Sequence, residues 1–453
     1  MNRLRWIWTE LTRPRGPVAH RFYRVGRTSR AGVALLISLA CLLFLMMAAV
    51  EVTSTALSRV RYAANNRDEA QAEALAYSGL NFYRLILVAA AGLDSKLQGA
   101  QQMFPALGQM GISGDMLWQM VPMINTNLLR MVFASGEDDP DADDMAELQQ
   151  QTLSEEDRER SEEEGTKPGF LSFTGDFLAE VSDETMRINI KNIQGLDLAS
   201  LQQDPAAVQV HALMTGMNTC DAIRENRVAS IDDDSDNTAW LRDRDLEPWE
   251  LIGNLADWVD RDQQRAFLGG TEDTLYERLD EPYKAKNAPF DTLEEVRLVD
   301  GWHRDDVWER FGSNLTVFGD GKVNVNTAEC EVMWALIKTA TDVPLADTQV
   351  DSCLRAIEGY RMLVPFSTED AFVQFLRDGT PPPMPTQTGS TNNVPTGTCQ
   401  LAVNANFQNR ITTKTKVFRV TSVGSVGNAQ VTIEAVYDFS SSAEGKTLYW
   451  RID

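Results

Sequence analysis

The chain has 453 residues, a formal net charge of −24 and 43% hydrophobic residues, so it can form two or three domains with buried cores. The charge is unevenly distributed, because residues 1–30 contain eight arginines and a single acidic residue, Glu10. The rest of the chain is strongly acidic and would repel a phosphate backbone, which argues against DNA or RNA as a partner.

The first predicted element is a membrane-spanning helix. Residues 31–50 contain no charged residue and no proline, and about 20 such residues are needed to cross the hydrocarbon core. The arginines before this run and Glu51 after it predict a cytoplasmic N-terminus and, in a bacterium with two membranes, a periplasmic remainder. We therefore expect a single-pass protein of a bacterial inner membrane. A cleaved secretory signal is the alternative, but the basic leader is long for one.

The same helix is predicted to continue beyond the membrane. Neither glycine nor proline occurs from Val33 to Ser78, and apolar residues recur at helical spacing from Leu57 onward. A mixed, mainly helical segment is expected to follow to about Ala134. Residues 135–168 are acidic and contain almost no large apolar residue, which predicts an exposed loop. We interpret this loop as a solvated insertion rather than a partner-binding tail.

The remaining elements predict a sheet interrupted by helices. Residues 170–193 have the pattern of strand, turn and strand, and residues 196–370 are mainly helical in pattern. Residues 379–398 are rich in proline and predict an irregular loop. Alternating apolar runs on either side of Gly427 predict a hairpin, and residues 447–451 a third strand. We expect an α+β fold in which one long N-terminal helix packs on an antiparallel sheet.

Four of the five cysteines follow the predicted membrane helix, where a periplasm allows disulfides to persist. They allow three pairings, and the sequence alone does not choose among them. We favour a pairing of Cys353 with Cys399, which would close the loop between them. Free buried thiols are the alternative. Cys41 lies within the apolar run.

The junction between the leader and the apolar run resembles the prepilin peptidase site of type IV pilins and pseudopilins. Gly32 precedes Val33 there, directly after the last leader arginine and Ala31. The resemblance implies cleavage after Gly32 and an N-methylated Val33 as the first mature residue. A plain signal anchor is the alternative.

One departure from ordinary pilins is informative. They carry a glutamate at mature position five, where this chain has Ile37. In the family, that carboxylate pairs with the amine of the subunit ahead. A tip subunit has no subunit ahead, so an apolar residue avoids an unpaired charge in apolar surroundings.

A larger set of motifs, taken in order, is similar to the K-type minor pseudopilins of type II secretion systems. They are Asp183-Glu184 with Arg187-Ile188-Asn189, Asp257-Trp258-Val259-Asp260, Gly270-Thr271-Glu272-Asp273 with Tyr276, residues 282–301, and Lys322-Val323-Asn324-Val325-Asn326-Thr327-Ala328. Glu281, Val296 and the pair Thr185-Met186 depart from the family pattern.

This resemblance implies a pilin-like α+β fold with a large inserted helical domain and a non-enzymatic role at the pseudopilus tip. The implied partners are the I-type and J-type minor pseudopilins, the secretion apparatus, prepilin peptidase, the inner membrane and secreted substrate. The predicted regions are a leader (1–32), a transmembrane segment (33–50), a periplasmic helix with the first strands (51–195), the inserted helical domain (196–370), and a loop with C-terminal strands (371–453).

The resemblance also implies calcium in the helical domain. The candidate ligands are hard oxygen donors, namely Asp257, Asp260, Asp262, Glu272 and Asp273. A second cluster alternates as in an EF-hand loop but has Asn237 at the place of the required glycine; it comprises Asp232, Asp234 and Asp236. Helix capping and solvated charge are the alternative for both clusters.

Part of this stretch has a local structural explanation. Asp291 or Thr292 is predicted to cap a helix, with Glu294 or Glu295 completing a capping box. Thr327 is predicted to cap the helix that follows it.

No pattern of catalytic residues stands out. The chain has only three histidines, and the motifs of metalloproteases, serine hydrolases and P-loop enzymes are missing, so we do not expect an enzyme. Two alternatives remain open at this point: a minor pilin of a type IV pilus, and an unprocessed single-pass periplasmic scaffold protein.

Overall fold

The computed structural model of the chain describes residues 29–103, 118–119, 121–126, 128, 175–191, 193, 195, 197–216, 219–220, 223, 236–279, 281–379 and 399–453. The predicted acidic loop 135–168, Asp232, Asp234 and nearly all of the proline-rich loop lie outside the described residues. The chain divides into two compact units, residues 1–66 and residues 67–453. The packing described below is that of the second unit.

The helices follow one another along the chain. They are α1 (Ser29–Met103), α2 (Leu198–Leu201), α3 (Pro205–Met214), α4 (Asn237–Arg242), α5 (Pro248–Val259), α6 (Asp273–Tyr276), α7 (Asp305–Phe311), α8 (Cys330–Lys338), α9 (Asp347–Arg361) and α10 (Glu369–Asp378). Short 3-10 turns occur at Glu184–Met186, Leu293–Leu298, Gly312–Asn314 and Phe407–Arg410.

The strands form one main sheet and two short pairs. They are β1 (Met123–Asn125), β2 (Asp176–Asp183), β3 (Ile188–Asn189), β4 (Leu315–Thr316), β5 (Val323–Asn324), β6 (Ile411–Thr412), β7 (Val417–Val426), β8 (Ala429–Asp438) and β9 (Lys446–Ile452). The main sheet has the order β1-β2-β7-β8-β9, and all its neighbours are antiparallel.

Helix α1 is continuous, as predicted, and ends later than the predicted Ser78. Its part from Val33 to Leu93 contains an apolar stretch that is long enough to cross a membrane, judged by length and composition alone. The apolar side chains of this stretch are exposed; Phe44, for example, is 72% exposed. Such exposure would be costly in water and is what a lipid-facing surface requires.

The main sheet packs on the later part of α1. Leu75, Leu80 and Tyr83 are almost fully buried there against the alternating inward residues of β7 and β8. The approach is close, because a Cβ at Gly424 of β7 would collide with the backbone carbonyl of Ala72. Only glycine lets the helix backbone lie this near the sheet.

The C-terminal strands agree with the alternation in the sequence. The predicted hairpin is β7 and β8, with Gly427 at a φ of 57° in the turn, and the predicted third strand is β9. The short edge strand β1 falls in the segment expected to be mainly helical, so that expectation was wrong there. Its pairing with β2 is a tertiary contact that its own three residues do not encode.

A second hydrophobic core fills the domain inserted between β2 and β7. The strand pattern predicted for residues 170–193 is found, but β3 pairs in parallel with β4 and does not return along β2. A similar parallel pair joins β5 to β6. This core also extends beyond residue 370, where the sequence placed the domain boundary. Phe372 and Leu376 of α10, and Phe407 after it, are fully buried in the core.

Two disulfides lie within the inserted domain. Cys353 pairs with Cys399, as the sequence favoured, with 4.5 Å between the Cα atoms. Cys220 pairs with Cys330, with 5.7 Å between the Cα atoms. Cys41 is free and exposed. The predicted fold class, a long N-terminal helix on an antiparallel sheet with a helical insertion, is confirmed.

Candidate functional site

The candidate site is built at the C-terminal end of α5. This helix begins with Pro248 at its first turn, and the buried residues on its apolar side include Leu255 and Trp258. The last turn therefore carries Asp257 into the core, where the residue is 2% exposed. Asp260 follows directly in extended conformation, with φ −71° and ψ −179°.

A loop returns from Asp260 to bring a third carboxylate to the same place. The Ala266 N–H donates to Asp257 Oδ1 at 2.8 Å, and a β-bridge joins Gln264 to Thr271. The tip of the loop consists of three successive residues with positive φ, namely Leu268, Gly269 and Gly270. This reversal leads the chain to Glu272, which is 1% exposed.

Asp257, Asp260 and Glu272 converge. Each offers one carboxylate oxygen, and the three oxygens lie within 4.8 Å of one another. Among the described residues, no hydrogen-bond donor reaches Asp257 Oδ2, Asp260 Oδ2 or either carboxylate oxygen of Glu272, although these atoms are buried. Buried acceptors without donors are rare and costly, and the three converging oxygens could hold a cation.

The electrostatics of the cluster agree with this interpretation. Burial, followed by repulsion from Asp260 and Asp257, raises the pKa of Glu272 to about 8. Burial raises the pKa of Asp257 to about 7, although the Ala266 N–H opposes the shift. Burial and the nearby Asp262 raise the pKa of Asp260 to about 6. Three carboxylates that resist ionisation together would be ionised readily by a cation among them.

Two of the five predicted ligands lie outside this convergence. Asp262 Oδ1 accepts from the Gln264 N–H at 2.7 Å and so supports the turn of the loop. Asp273 forms an ion pair with Lys284, at 2.9 Å between Oδ2 and Nζ. The structure therefore brings together three carboxylates, with Asp262 beside them.

Asn287 supports the site and was not among the predicted ligands. Its Nδ2 donates to the Asp262 carbonyl at 3.0 Å, which ties the loop to the segment before Pro289. Asn287 has a φ of 51°, a conformation that asparagine tolerates better than most residues, so an asparagine at this turn was the available signal. Its buried Oδ1 has no donor among the described residues.

The other local predictions had mixed outcomes. Asp236 caps α4 by accepting from two backbone N–H groups, which is the capping alternative for its cluster. Glu295 accepts from the Thr292 N–H, so this half of the predicted capping box is present. The prediction for Thr327 was wrong, because its hydroxyl donates to Asp183 at 2.6 Å. Glu329 occupies the N-cap position of α8.

Comparisons with known proteins place the site within a recognised domain. Residues 241–318, which contain α5 and all three converging carboxylates, match the family model "Type II secretion system (T2SS), protein K". No curated protein matches the chain.

One solved structure with similarity to the chain is "The Crystal Structure of the GspK-GspI-GspJ complex from enterotoxigenic Escherichia coli Type 2 Secretion System". The identity is 15% and the TM-score 0.39, over 62% of this chain and 80% of that chain. The family match covers the Asp257 and Glu272 motifs that the sequence shares with K-type proteins. The match is to residues 241–318, so this part of the chain is similar to a domain of type II secretion system protein K.

Proposed function

We propose that the chain is the K-type minor pseudopilin of a type II secretion system, placed at the tip of the periplasmic pseudopilus. There it primes assembly together with the I-type and J-type minor pseudopilins. The observation that carries the proposal is the position of the protein K domain. It is inserted between β2 and β7 of a sheet that packs on α1, and the same α1 contains an apolar stretch of membrane-spanning length.

The start of α1 supports a position at the tip. After cleavage behind Gly32, Val33 would supply the N-terminal amine and Ile37 would occupy the fifth position. An apolar side chain there needs no partner from a subunit ahead. The amine of Val33 can still pair with a carboxylate of the following subunit.

The inserted domain supports the same position. It places a second core, from Ile188 to Ile411, between two neighbouring strands of the sheet. A body of this size on a pilin-like subunit would obstruct further subunits on one side. The subunit would then end the filament and face the secreted substrate and the outer-membrane apparatus.

Processing is tested by N-terminal sequencing of the protein purified from membranes. The proposal predicts Val33 as the first residue, methylated on its amine. Retention of Met1 would instead support the unprocessed scaffold protein. The Gly32→Val variant should retain the leader, whereas Ala31→Ser, next to it, should be cleaved normally.

The role in secretion is tested by deleting the gene and measuring release of a secreted reporter enzyme. Secretion should stop and return with the wild-type gene. Ile37→Glu should restore it poorly, because it introduces an unpaired carboxylate, whereas Ile37→Leu should restore it fully. If secretion is normal without the gene and a type IV pilus is lost, the protein is a minor pilin of that pilus and the proposal is wrong.

We also propose that Asp257, Asp260 and Glu272 hold a calcium ion. The ligands are oxygens only, which suits a hard cation and not zinc or copper. Four of their carboxylate oxygens are buried without a donor from the described part of the chain, and one oxygen from each residue lies within 4.8 Å of the others, which supports this ligand set. When bound, the ion would remove the repulsion among the carboxylates and hold the returning loop on α5. The protein would then be more stable, which can be measured on the full chain in detergent.

A further inference from the structure

The chain passes between the main sheet and the inserted domain at two neighbouring points. It leaves β2 at Asp183 and re-enters the sheet at Val417, and Asp183 lies opposite Phe418 in the antiparallel register. Two adjacent strand ends make a narrow connection. The core of the inserted domain also reaches Val417 and Val436 of the sheet. Apolar packing has little directional preference, so the polar contacts at this connection are the ones that can fix the orientation of the domain.

One buried carboxylate spans this connection. Asp183 is 1% exposed, and its Oδ1 accepts the N–H and the hydroxyl of Thr185, at 2.8 and 2.5 Å. Its Oδ2 accepts from Asn324 Nδ2 at 2.8 Å, Thr327 Oγ1 at 2.6 Å and Thr415 Oγ1 at 2.7 Å. The donors come from the outgoing turn, the inserted domain and the returning chain, so Asp183 joins all three.

The next residue makes a second connection. Glu184 is fully buried and accepts from Thr316 of β4, Arg187 of the outgoing turn and Arg419 of β7. Arg419 also pairs with Glu434 of β8. The charge of Glu184 therefore ties the inserted domain to two strands of the sheet. Charge-assisted hydrogen bonds without solvent are among the strongest polar contacts in proteins.

The side-chain amide of Asn326 makes further hydrogen bonds near the same connection. Asn326 Nδ2 donates to the carbonyls of Phe366 and Thr413, at 3.0 and 3.1 Å. Its Oδ1 accepts from the Phe366 N–H at 2.8 Å. The motifs around Asp183 and around Asn324 are thus two halves of one polar cluster.

From these contacts we propose that Asp183, Glu184, Asn324 and Thr327 form a latch that holds the inserted domain in one orientation on the sheet. The latch determines which surface of the inserted domain faces neighbouring molecules. It does not depend on which filament the chain joins or on a bound ion. Its failure and failure of the proposed function are therefore separable.

The test measures the orientation directly on the full chain in detergent. Spin labels are placed through encoded non-natural residues at Gln430 in β8 and Val343 in the inserted domain, both exposed, because four cysteines are in disulfides. The wild-type protein should give one narrow distribution of label distances. Asp183→Asn, which places an amide N–H₂ among donors, should broaden the distribution about twofold well below its melting temperature.

Amide hydrogen exchange gives a second readout of the same variant. Exchange should rise about tenfold at β3, β5 and β6 and remain unchanged in the centre of β7 and β8. The matched control is Asp305→Asn, which removes an exposed ion pair with Arg297 and should change neither readout.

A second, milder variant tests the latch if Asp183→Asn does not fold. Thr415→Val removes one donor from the returning chain and leaves the carboxylate in place. It should broaden the distance distribution to a smaller extent. If either variant is folded and keeps the wild-type distance distribution, Asp183 is an ordinary buried acid and the latch is disproved.

Discussion

Two clusters of buried acidic residues in this protein show opposite ways of accommodating charge. The latch acids Asp183 and Glu184 accept from threonine, asparagine and arginine side chains. At the candidate metal centre, by contrast, both carboxylate oxygens of Glu272 are buried without a donor among the described residues. Asp183, Glu184, Asp257 and Glu272 are all buried, and Asp260 is partly buried. What distinguishes a structural acid from a candidate ligand is therefore the supply of donors.

The pKa shifts express the same difference. Burial raises the pKa of Asp183, and hydrogen bonds from Thr185, Thr327, Thr415 and Asn324 oppose that shift. Burial also raises the pKa of Glu272, but there the neighbouring carboxylates add to the shift. At the latch, donors from the chain itself offset part of the cost of burial, whereas the proposed calcium ion would offset the repulsion around Glu272.

The largest expected effect is the loss of stability when the latch is disrupted. Asp183→Asn should lower the free energy of unfolding by roughly 3–5 kcal/mol, the usual cost of removing one partner from a buried charged network. The loss should be the same in calcium and in chelator, because the latch lies outside the metal centre. Urea unfolding in both buffers measures it. A loss of unfolding free energy below about 1 kcal/mol would mean that the groups that donate to Asp183 find other acceptors of equal strength.

The next effect is calcium itself. At a calcium concentration of 100 times the dissociation constant, binding should stabilise the fold by about 2.7 kcal/mol, which raises the melting temperature by several degrees. Thermal unfolding with calcium, with magnesium and with chelator measures the difference. The double variant Asp257→Asn with Glu272→Gln should lose the response, while Asp273→Asn should keep it because Asp273 is paired with Lys284. Equal melting temperatures in calcium and chelator would contradict the proposed ion.

A partly buried histidine extends the comparison to pH. His211 stacks on Trp249 with 4.3 Å between ring centroids, and burial lowers its pKa from 6.5 to about 4. The folded protein therefore favours neutral His211, so its contribution is complete above pH 6.5 and is lost as the pH falls towards 4. By pH 5 the loss should reach roughly 2 kcal/mol.

His211→Phe isolates this contribution, because phenylalanine retains the ring and does not titrate. Urea unfolding at pH 7 and pH 5 should show a smaller loss in the variant than in the wild-type protein. Equal losses would assign the acid sensitivity to the carboxylates instead.

The smallest expected effect is the change in stability when a buried glutamate is replaced by glutamine, and its sign should differ between the two clusters. Without calcium, Glu272→Gln should leave stability unchanged or raise it by up to about 1 kcal/mol, because it removes repulsion among like charges. Glu184→Gln, the same change in the latch, should be destabilising because it leaves Arg419 without its full charge partner. Parallel chemical unfolding in chelator compares them, and losses of equal size would remove the distinction between the clusters.

The candidate site was predicted in part. The family resemblance implied a ligand set that contained Asp257, Asp260 and Glu272, which the structure brings together. The same set contained Asp273, which forms an ion pair with Lys284 instead. The sequence does not show which basic side chain will pair with a given carboxylate. Thr327 shows the same limit. Its hydroxyl was predicted to cap α8, but it donates to the carboxylate of Asp183, which is distant in the sequence.

The sequence by itself determined the features that arise from neighbouring residues. They are the continuous helix α1, the β7–β8 hairpin at Gly427, the third strand and the order of the family motifs. Periodicity and turn chemistry act over a few residues and can be recognised along the chain.

Only the tertiary structure decided which distant groups meet. It paired β3 with β4, extended the inserted domain to α10, and joined Asp183 to Asn324 across 141 positions. It also buried Glu272 without a donor from any residue that the structure describes. The free energy of a buried polar group depends on the partners that surround it in space, and those partners exist only once the chain has folded.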